Sequence, residues 1–481
     1  MEKYISDNDK EIQNQYREKI KRYVSLLEKE IGKKPTAQVI TYGCQQNEAD
    51  SEIIAGELSS YGYSIVMGEN GDILPDAIVM NTCAVREHAE LKALSKAGNL
   101  KQKKKKNPHL VTGIGGCMVQ QAHRQSFIKG SYPYVDFLFG TNSLPHFPEI
   151  FYKALTDEKR VFHIEENDGY LPEGMDSYRE SKDKAYVSVM YGCNNFCSYC
   201  IVPYVKGRER SREPENILND IKKLVGDGCT EITLLGQNVN SYGKELSPPV
   251  SFAKLCEMIC GIDGDFTVKF MTSHPKDVSD ELIKCIADNP KMAHYIHFPI
   301  QSGSNEILKK MNRRYTFEDY YEKVEKIRKF IPDAVLSADV IVGFPGETEE
   351  DFECTLEAIR KIRYDALFTF IYSKRNGTPA AEMENQVPED VKKERMSRLL
   401  ALQTEIMADI NSKLLGQNVR VHIDGVSKKD ENMLTGRTDG NKIVHIASDG
   451  SLKAGDIVNV KITKAMSYMM YGETLKKENT K

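Results

Sequence analysis

The stretch Tyr191-Gly-Cys-Asn-Asn-Phe-Cys-Ser-Tyr-Cys200 sets three thiols at the spacing C-x3-C-x2-C. Cys193, Cys197 and Cys200 can hold three irons of a 4Fe-4S cube, leaving the fourth iron open to chelate a small molecule and hand it an electron. A structural zinc knot is the plain alternative, yet such sites want four protein ligands, usually in paired C-x2-C halves, and no fourth Cys or His lies nearby in the sequence. The triplet follows a strand-like run, Tyr186 to Met190, and similar runs recur at Glu231 to Leu235, Thr267 to Met271, Tyr295 to Pro299, Val335 to Val342 and Leu367 to Tyr372. With helical patterns between them, the six units predict an incomplete parallel (β/α)6 barrel. Reacting groups of such barrels sit at strand C-termini. That is where the cysteine loop, Gln237-Asn238, Ser273-His274, Gln301-Ser-Gly-Ser304 and Gly343-Phe-Pro-Gly346 fall.

Upstream, a β/α rhythm also runs through strands at Ala37 to Thr41, Ala77 to Met80, Leu110 to Ile114 and Phe137 to Phe139, with a helix at Glu48 to Ser60. This predicts a small doubly wound α/β domain. Cys44, Cys83 and Cys117 each come just after a strand, and strand C-termini converge on one edge of a parallel sheet, where ligands bind. Position alone leaves two readings open, a second metal site or three unrelated buried cysteines. Before this domain, Ile20, Tyr23, Leu26, Leu27 and Ile31 make a weak apolar stripe on an accessory helix. After it, the polar and aperiodic stretch from about Glu165 to Lys184 marks a linker. From about Ser412, β-like runs at Val419 to Ile423, Lys442 to Ile446 and Ile457 to Ile462 predict a small β-barrel. The expected bounds are a helical extension over 1–33, the doubly wound domain over 34–152, a linker over 153–178, the partial barrel over 179–409 and the small β-barrel over 412–475.

A chain of 481 residues exceeds one ordinary core, so two to four domains are expected. A net charge of -4 and pI near 6.3 exclude a protein that grips nucleic acid with its whole surface, so any such contact is regional. The N-terminus has no apolar signal core, the 11 cysteines imply a reducing compartment, and no run reaches the roughly 18 to 20 apolar residues that span a bilayer. A soluble, cytoplasmic protein with no membrane contact is expected.

The motifs taken together carry a resemblance. Thr41-Tyr-Gly-Cys-Gln-Gln-Asn47, Asn81-Thr-Cys-Ala-Val-Arg86, Gly116-Cys-Met118, the cysteine triplet with Tyr199, Leu234-Leu-Gly-Gln-Asn-Val-Asn240, Met311-Asn-Arg-Arg-Tyr-Thr316, Val342-Gly-Phe-Pro-Gly-Glu-Thr348 and Thr435-Gly-Arg437 resemble the methylthiotransferase family of radical S-adenosylmethionine (SAM) enzymes. The resemblance covers about residues 34 to 475. It implies two 4Fe-4S clusters, one on Cys193, Cys197 and Cys200 and an auxiliary one on Cys44, Cys83 and Cys117, with S-adenosyl-L-methionine as second cofactor. It also implies an RNA-binding TRAM module at the C-terminus. The stretches Asn194 to Tyr204 and Gly207 to Arg212 are most similar to members acting on N6-dimethylallyl (isopentenyl) adenosine at position 37 of tRNA. Members acting on threonylcarbamoyl-adenosine tRNA or on a ribosomal-protein aspartate are the alternatives, and a noncatalytic RNA-binding iron-sulfur protein is a reading of another class. Gln46 departs from the family motif, which often carries Met.

Within that resemblance, Tyr199, Gln237, Gln301, Ser302, Arg313 and Phe344 are the candidates for holding SAM. Arg208, Arg210, Arg212 and Arg437 are the candidates for RNA contact, since Arg suits phosphate geometry. The run Lys101 to Lys106 is either a phosphate contact or a solvated helix end. Expected partners are a tRNA anticodon loop, an electron donor such as a flavodoxin or ferredoxin, and iron-sulfur assembly proteins, with the chain itself a monomer.

Overall fold

A computed structural model describes residues 3–69, 73–85, 87–157, 159–165 and 169–475. The N-terminal unit holds one parallel sheet of β1 (Thr36–Tyr42), β2 (Ser64–Met67), β3 (Ala77–Thr82), β4 (Val111–Gly116), β5 (Phe137–Phe139) and β6 (Val161–His163), in the order β2-β1-β3-β4-β5-β6. Helices cover both faces, so β3 and β4 are buried along their whole length and read as continuous rather than alternating runs. One face packs Ile54, Leu58, Phe137, Phe139, Phe147 and Phe151; the other packs Ile78, Met80, Leu94, Ile114 and Leu138.

The N-terminal helix Asp7–Ile31 starts on the Ser6 side chain and stops at Gly32 in the left-handed region, φ 69°. It buries Ile20, Val24 and Leu27, while Leu26 is 65% exposed, so the stripe runs through Val24 and not Leu26. One correction concerns the chain after Phe139. The helix Phe147–Thr156 and β6 belong to the first sheet unit, so the linker begins after His163 and not at residue 153. The short edge strands β2 and β6 were not expected.

The central unit holds β7 (Lys184–Ser188), β8 (Met190–Tyr191), β9 (Arg210–Ser211), β10 (Glu231–Leu235), β11 (Thr267–Phe270), β12 (Tyr295–His297), β13 (Val335–Val342) and β14 (Ala366–Ile371). Two parallel three-stranded sheets, β11-β10-β7 and β12-β13-β14, meet at the parallel bridge Val268–Met292. Six strands thus curve round as an open barrel whose free edges are β7 and β14. Residues Ile232, Leu234, Val268, Phe298, Leu336 and Val340 point outward into the helical layer. Capping boxes start two of those helices, Thr316 with Asp319 and Thr348 with Asp351, and aim their N-termini from the strand-end loops.

The C-terminal unit is a closed barrel of β15 (Asn418–Val426), β16 (Met433–Thr438), β17 (Ile443–Ala447), β18 (Ile457–Ala465) and β19 (Met470–Thr474), ordered β15-β16-β17-β19-β18. Val421, Ile423, Leu434, Val444, Val460 and Ile462 fill it. It docks against the N-terminal ends of the central strands. Lys442 Nζ meets Asp365 Oδ1 at 2.7 Å, Lys184 pairs with Asp424, and a Cβ on Gly440 would lie 2.4 Å from Val335. The cysteine loops lie at the opposite ends of those strands. Among the described residues, no helix is long and apolar enough to cross a membrane.

Candidate metal centres

The Cys193–Cys200 loop leaves β8 through Gly192, at φ 77°, where a Cβ would stand 1.9 Å from the Arg208 carbonyl oxygen. Only glycine allows that approach. The loop is tied down on all sides. Gly192 N donates to Gln237 Oε1 (2.5 Å), Cys193 N to the Gly207 carbonyl (3.1 Å), and Asn312 Nδ2 to the Phe196 carbonyl (2.9 Å). Ser198 Oγ donates to the Lys310 carbonyl (2.8 Å), and Arg313 Nη1 points at Cys197 Sγ (3.4 Å). Burial pushes the Cys193 thiol up to about 11 and raises Cys200 too, where the neighbouring thiols add to the effect. Such thiols become thiolates when a cation binds them.

The second triad sits on three adjacent strands, β1, β3 and β4. Cys83 N donates to the Tyr42 carbonyl (2.9 Å) and Cys117 N to the Thr82 carbonyl (2.8 Å), so each loop is registered on the last. Cys44 is the N-cap of the helix Gln45–Ser60. Cys44 and Cys83 interact closely, which lowers the Cys44 pKa and raises that of Cys83; burial raises Cys117. Gly116, at φ 94°, has no room for a Cβ, which would meet the Thr82 carbonyl oxygen at 2.4 Å.

The two triads share a wall. Cys117 packs with Ala84 against Ile201 and Val205, the residues that follow Cys200. Beside them Lys206 Nζ meets Asp50 Oδ2 at 3.4 Å with both side chains about 95% buried, and Gln46 Nε2 donates to Asp50 (3.1 Å) and across the interface to Ser188 Oγ (2.7 Å). Gln46 is therefore an inter-unit bond beside the triads.

Beyond the C-terminal ends of β10 and β11 four buried polar atoms have no partner: Asn238 Oδ1, Asn240 Nδ2, Ser273 Oγ and His274 Nε2. Burial, and then the charges of Arg313 and Lys276, push the His274 pKa down to about 2, so the ring is neutral. Its Nδ1 accepts from Lys276 N (3.4 Å), which assigns the hydrogen to Nε2. Three donors and one acceptor are thus left for a polar ligand, and native interiors rarely tolerate such orphans. Each thiol triad fits an iron-sulfur cluster, and the partnerless atoms suit the polar groups of a small ligand.

A protein of Thermoanaerobacter pseudethanolicus named tRNA-2-methylthio-N(6)-dimethylallyladenosine synthase is 48% identical over 449 residues, 93% of this chain and 94% of its own. Relatives of the same name from Clostridium botulinum (51% over 436 residues, 90% and 96%) and Acetivibrio thermocellus (47% over 473 residues, 98% of each) agree. This chain belongs to the tRNA-2-methylthio-N(6)-dimethylallyladenosine synthase family. Its parts match the Radical SAM superfamily over 187–359, the Uncharacterized protein family UPF0004 over 36–140 and the TRAM domain over 412–475. The synthase fold is also similar to the radical S-adenosylmethionine methyltransferase TsrM of Kitasatospora setae, with TM-score 0.52 and 12% identity over 72% of this chain and 74% of that one.

The candidate SAM residues of this synthase-family chain divide. Arg313 lies against Cys197, and its Nη1 reaches the Tyr199 hydroxyl at 3.5 Å. Phe344 is fully buried with Ile307, Met311 and Tyr372, and Tyr199 packs on that cluster. Gln301 stands at the strand end with φ 70°. Gln237 spends its oxygen on the cysteine loop. Ser302 Oγ lies 3.3 Å from Thr355 Oγ1 of the helix Glu349–Ile362. Arg210 and Arg212 are corrected: both are buried, Arg210 on Gly169 O and Asn142 Oδ1, Arg212 on Glu173 and Asp220, so neither faces RNA. Arg208 is exposed, 4.4 Å over the Phe196 ring, and Arg437 is half-exposed beside Asp424. In the lysine run, Lys104 pairs with Asp136. Arg86 lies outside the described residues. Asn240 and the orphaned groups of Ser273 and His274 were not singled out as ligand contacts; their clue was a run of polar residues at successive strand ends.

Proposed function

We propose that this chain is a radical SAM methylthiotransferase that converts N6-dimethylallyladenosine at position 37 of tRNA to its 2-methylthio derivative. The observation that carries the reading is the pair of cysteine triads walled against each other through Cys117, Ile201 and Val205, in a chain matched end to end by relatives of that name. When bound, two 4Fe-4S clusters would supply an open iron to chelate SAM, the electron that cleaves it, and a sulfur able to carry a methyl group.

The chain's own residues do the placing. Cys193, Cys197 and Cys200 would hold the first cluster and Cys44, Cys83 and Cys117 the second. Asn238, Asn240, Ser273 and His274 would receive the polar groups of SAM, with Arg313 keeping positive charge beside Cys197. Tyr199 and Phe344 would present an apolar surface to the adenine. Ile201 and Val205 keep water from the wall between the triads. The small β-barrel and Arg208 would contact the anticodon region, where a splayed-out base is the form in which an adenine edge is reached. Electrons would come from a small donor of the flavodoxin or ferredoxin kind, in the cytoplasm.

The test is mass spectrometry of nucleosides from tRNA incubated anaerobically with reconstituted protein, SAM and dithionite. A 2-methylthio product on isopentenyl-adenosine tRNA, and none on threonylcarbamoyl-adenosine tRNA, is expected. Product on the second substrate alone would overturn the substrate and keep the chemistry.

A further inference from the structure

Apart from the cysteines, three ligand-type side chains meet at the far edge of the N-terminal sheet. His146 ends a single 3-10 turn, His163 is the last residue of β6, and Glu165 follows two residues later. Glu165 Oε1 lies 2.9 Å from His163 Nε2 and 3.3 Å from His146 Nδ1, and the three ligand atoms lie within 4.8 Å of one another. Ligand atoms about 2.0–2.1 Å from a tetrahedral zinc ion stand roughly 3.3 Å apart. The two separations from the carboxylate oxygen, 2.9 and 3.3 Å, are close to that value, and the third is no more than 4.8 Å.

Hydrogen bonding accounts for only part of it. His163 bonds the carboxylate, but His146 Nδ1 is fully buried and has no hydrogen-bond partner, although it points at the same oxygen. Gln120 is in the same neighbourhood, its Nε2 donating to the Glu165 carbonyl (2.6 Å), and its Oε1 is likewise buried without a partner. The backbone around the site is firm: Ser143 Oγ accepts from Glu165 N (3.3 Å) and donates to the His163 carbonyl (3.3 Å), and Gly140 N donates to that carbonyl (3.0 Å). The three side chains are 13%, 33% and 27% exposed, so an ion has a way in.

We propose that His146 Nδ1, His163 Nε2 and Glu165 Oε1 bind one divalent cation of the zinc class, distinct from both thiol triads. Two imidazoles and a carboxylate are the donor set of a borderline transition metal, with a fourth position left for water. The role is structural. Thr141 and Asn142 lie between Gly140 and His146, and Asn142 Oδ1 takes Arg210 Nη2 (3.2 Å). A metal at this site fastens the loop that joins the first unit to Arg210 of the central unit.

The test uses the full chain with both clusters reconstituted, equilibrated anaerobically with zinc chloride, gel-filtered, and measured for zinc and iron. About one zinc per chain is expected, with X-ray absorption showing imidazole and oxygen neighbours and no sulfur. His163→Ala and Glu165→Gln should each lose that zinc while keeping the iron content and visible absorption of the parent. Zinc with sulfur neighbours would place the metal in the thiol triads and overturn the proposal. Zinc retained equally in the variants, or none retained by the parent, would overturn it too. The absorption measurement on the unmutated chain decides the ligand set even where a variant misfolds.

Discussion

Lys206→Met tests the joint between the two cysteine units. Lys206 and Asp50 are 5% and 3% exposed and lie 3.4 Å apart, one from each unit. Burial alone would lower the ammonium's pKa, yet Asp50, with Cys117 and Cys44, holds it above its ordinary value. Removing one member of such a pair leaves the other charge buried and costs about 3–5 kcal/mol. Asp50 would keep one donor, Gln46 Nε2 at 3.1 Å, which places the expected loss near the lower figure. At about 2–4 °C per kcal/mol for domains of this size, the melting temperature should fall by roughly 10 °C. Adding Asp50→Asn removes the stranded charge and should recover about 2 kcal/mol, a coupling that two independent sites would not show. The assay is anaerobic thermal unfolding of the four proteins of the cycle, with iron content as a check that each is loaded alike. A Lys206→Met shift below about 2 °C, or no recovery in the double variant, would refute the argument.

Four further outcomes follow from the same geometry. Cys117→Ala and Cys197→Ala should each bring the iron content of reconstituted protein from about eight to about four per chain, and the double variant should keep almost none. Arg212→Met should destabilise the chain by about 3 kcal/mol through the stranded Glu173, seen as a lower melting temperature, while tRNA affinity of the folded fraction stays put. Arg208→Ala should weaken tRNA binding and reduce its salt slope by about one in a filter-binding titration, with little change in stability. Burial pushes the Glu52 carboxyl from 4.5 up to about 7, only partly offset by Arg179. The folded chain therefore keeps a proton that the unfolded chain releases, and that stability, full below pH 4.5, is lost as pH rises towards 7. Glu52→Gln should then stabilise by about 1–2 kcal/mol at pH 8, allowing for its partial exposure, and change nothing at pH 4 in denaturant titrations.

The sequence was legible wherever a strand carried a continuous apolar run and ended in a chemically singular residue. β1, β3, β4 and β10 fall where the apolar runs put them, and each cysteine loop follows its strand. β2 and β6 escaped because edge strands of four and three residues leave almost no pattern. β16 and β19 escaped because Gly436 and Gly472 interrupt their apolar alternation. Those glycines let strands close up: a Cβ on either would lie within 2.5 Å of Val421 or Val460. At the site, a thiol announces its chemistry, but a guanidinium does not announce its surroundings. Arg210 and Arg212 read as a basic surface, and only the fold brings Gly169, Glu173 and Asp220 to them. The His146, His163 and Glu165 grouping was likewise invisible, since a turn and a strand end meet only in the folded sheet.

The docking of the small barrel under the central one fixes a length. Lys442 on Asp365 and Lys184 on Asp424 hold it at the bottom of strands whose tops carry the thiols. Five to eight residues of strand, at about 3.3 Å each, put roughly 15–25 Å of rigid sheet between them. Under the proposed function, RNA gripped by the lower module would have to carry its reacting base across that height to reach the thiols. Strand length would then act as a ruler, choosing a nucleotide by its distance from the stem and leaving the pocket to judge only its chemistry.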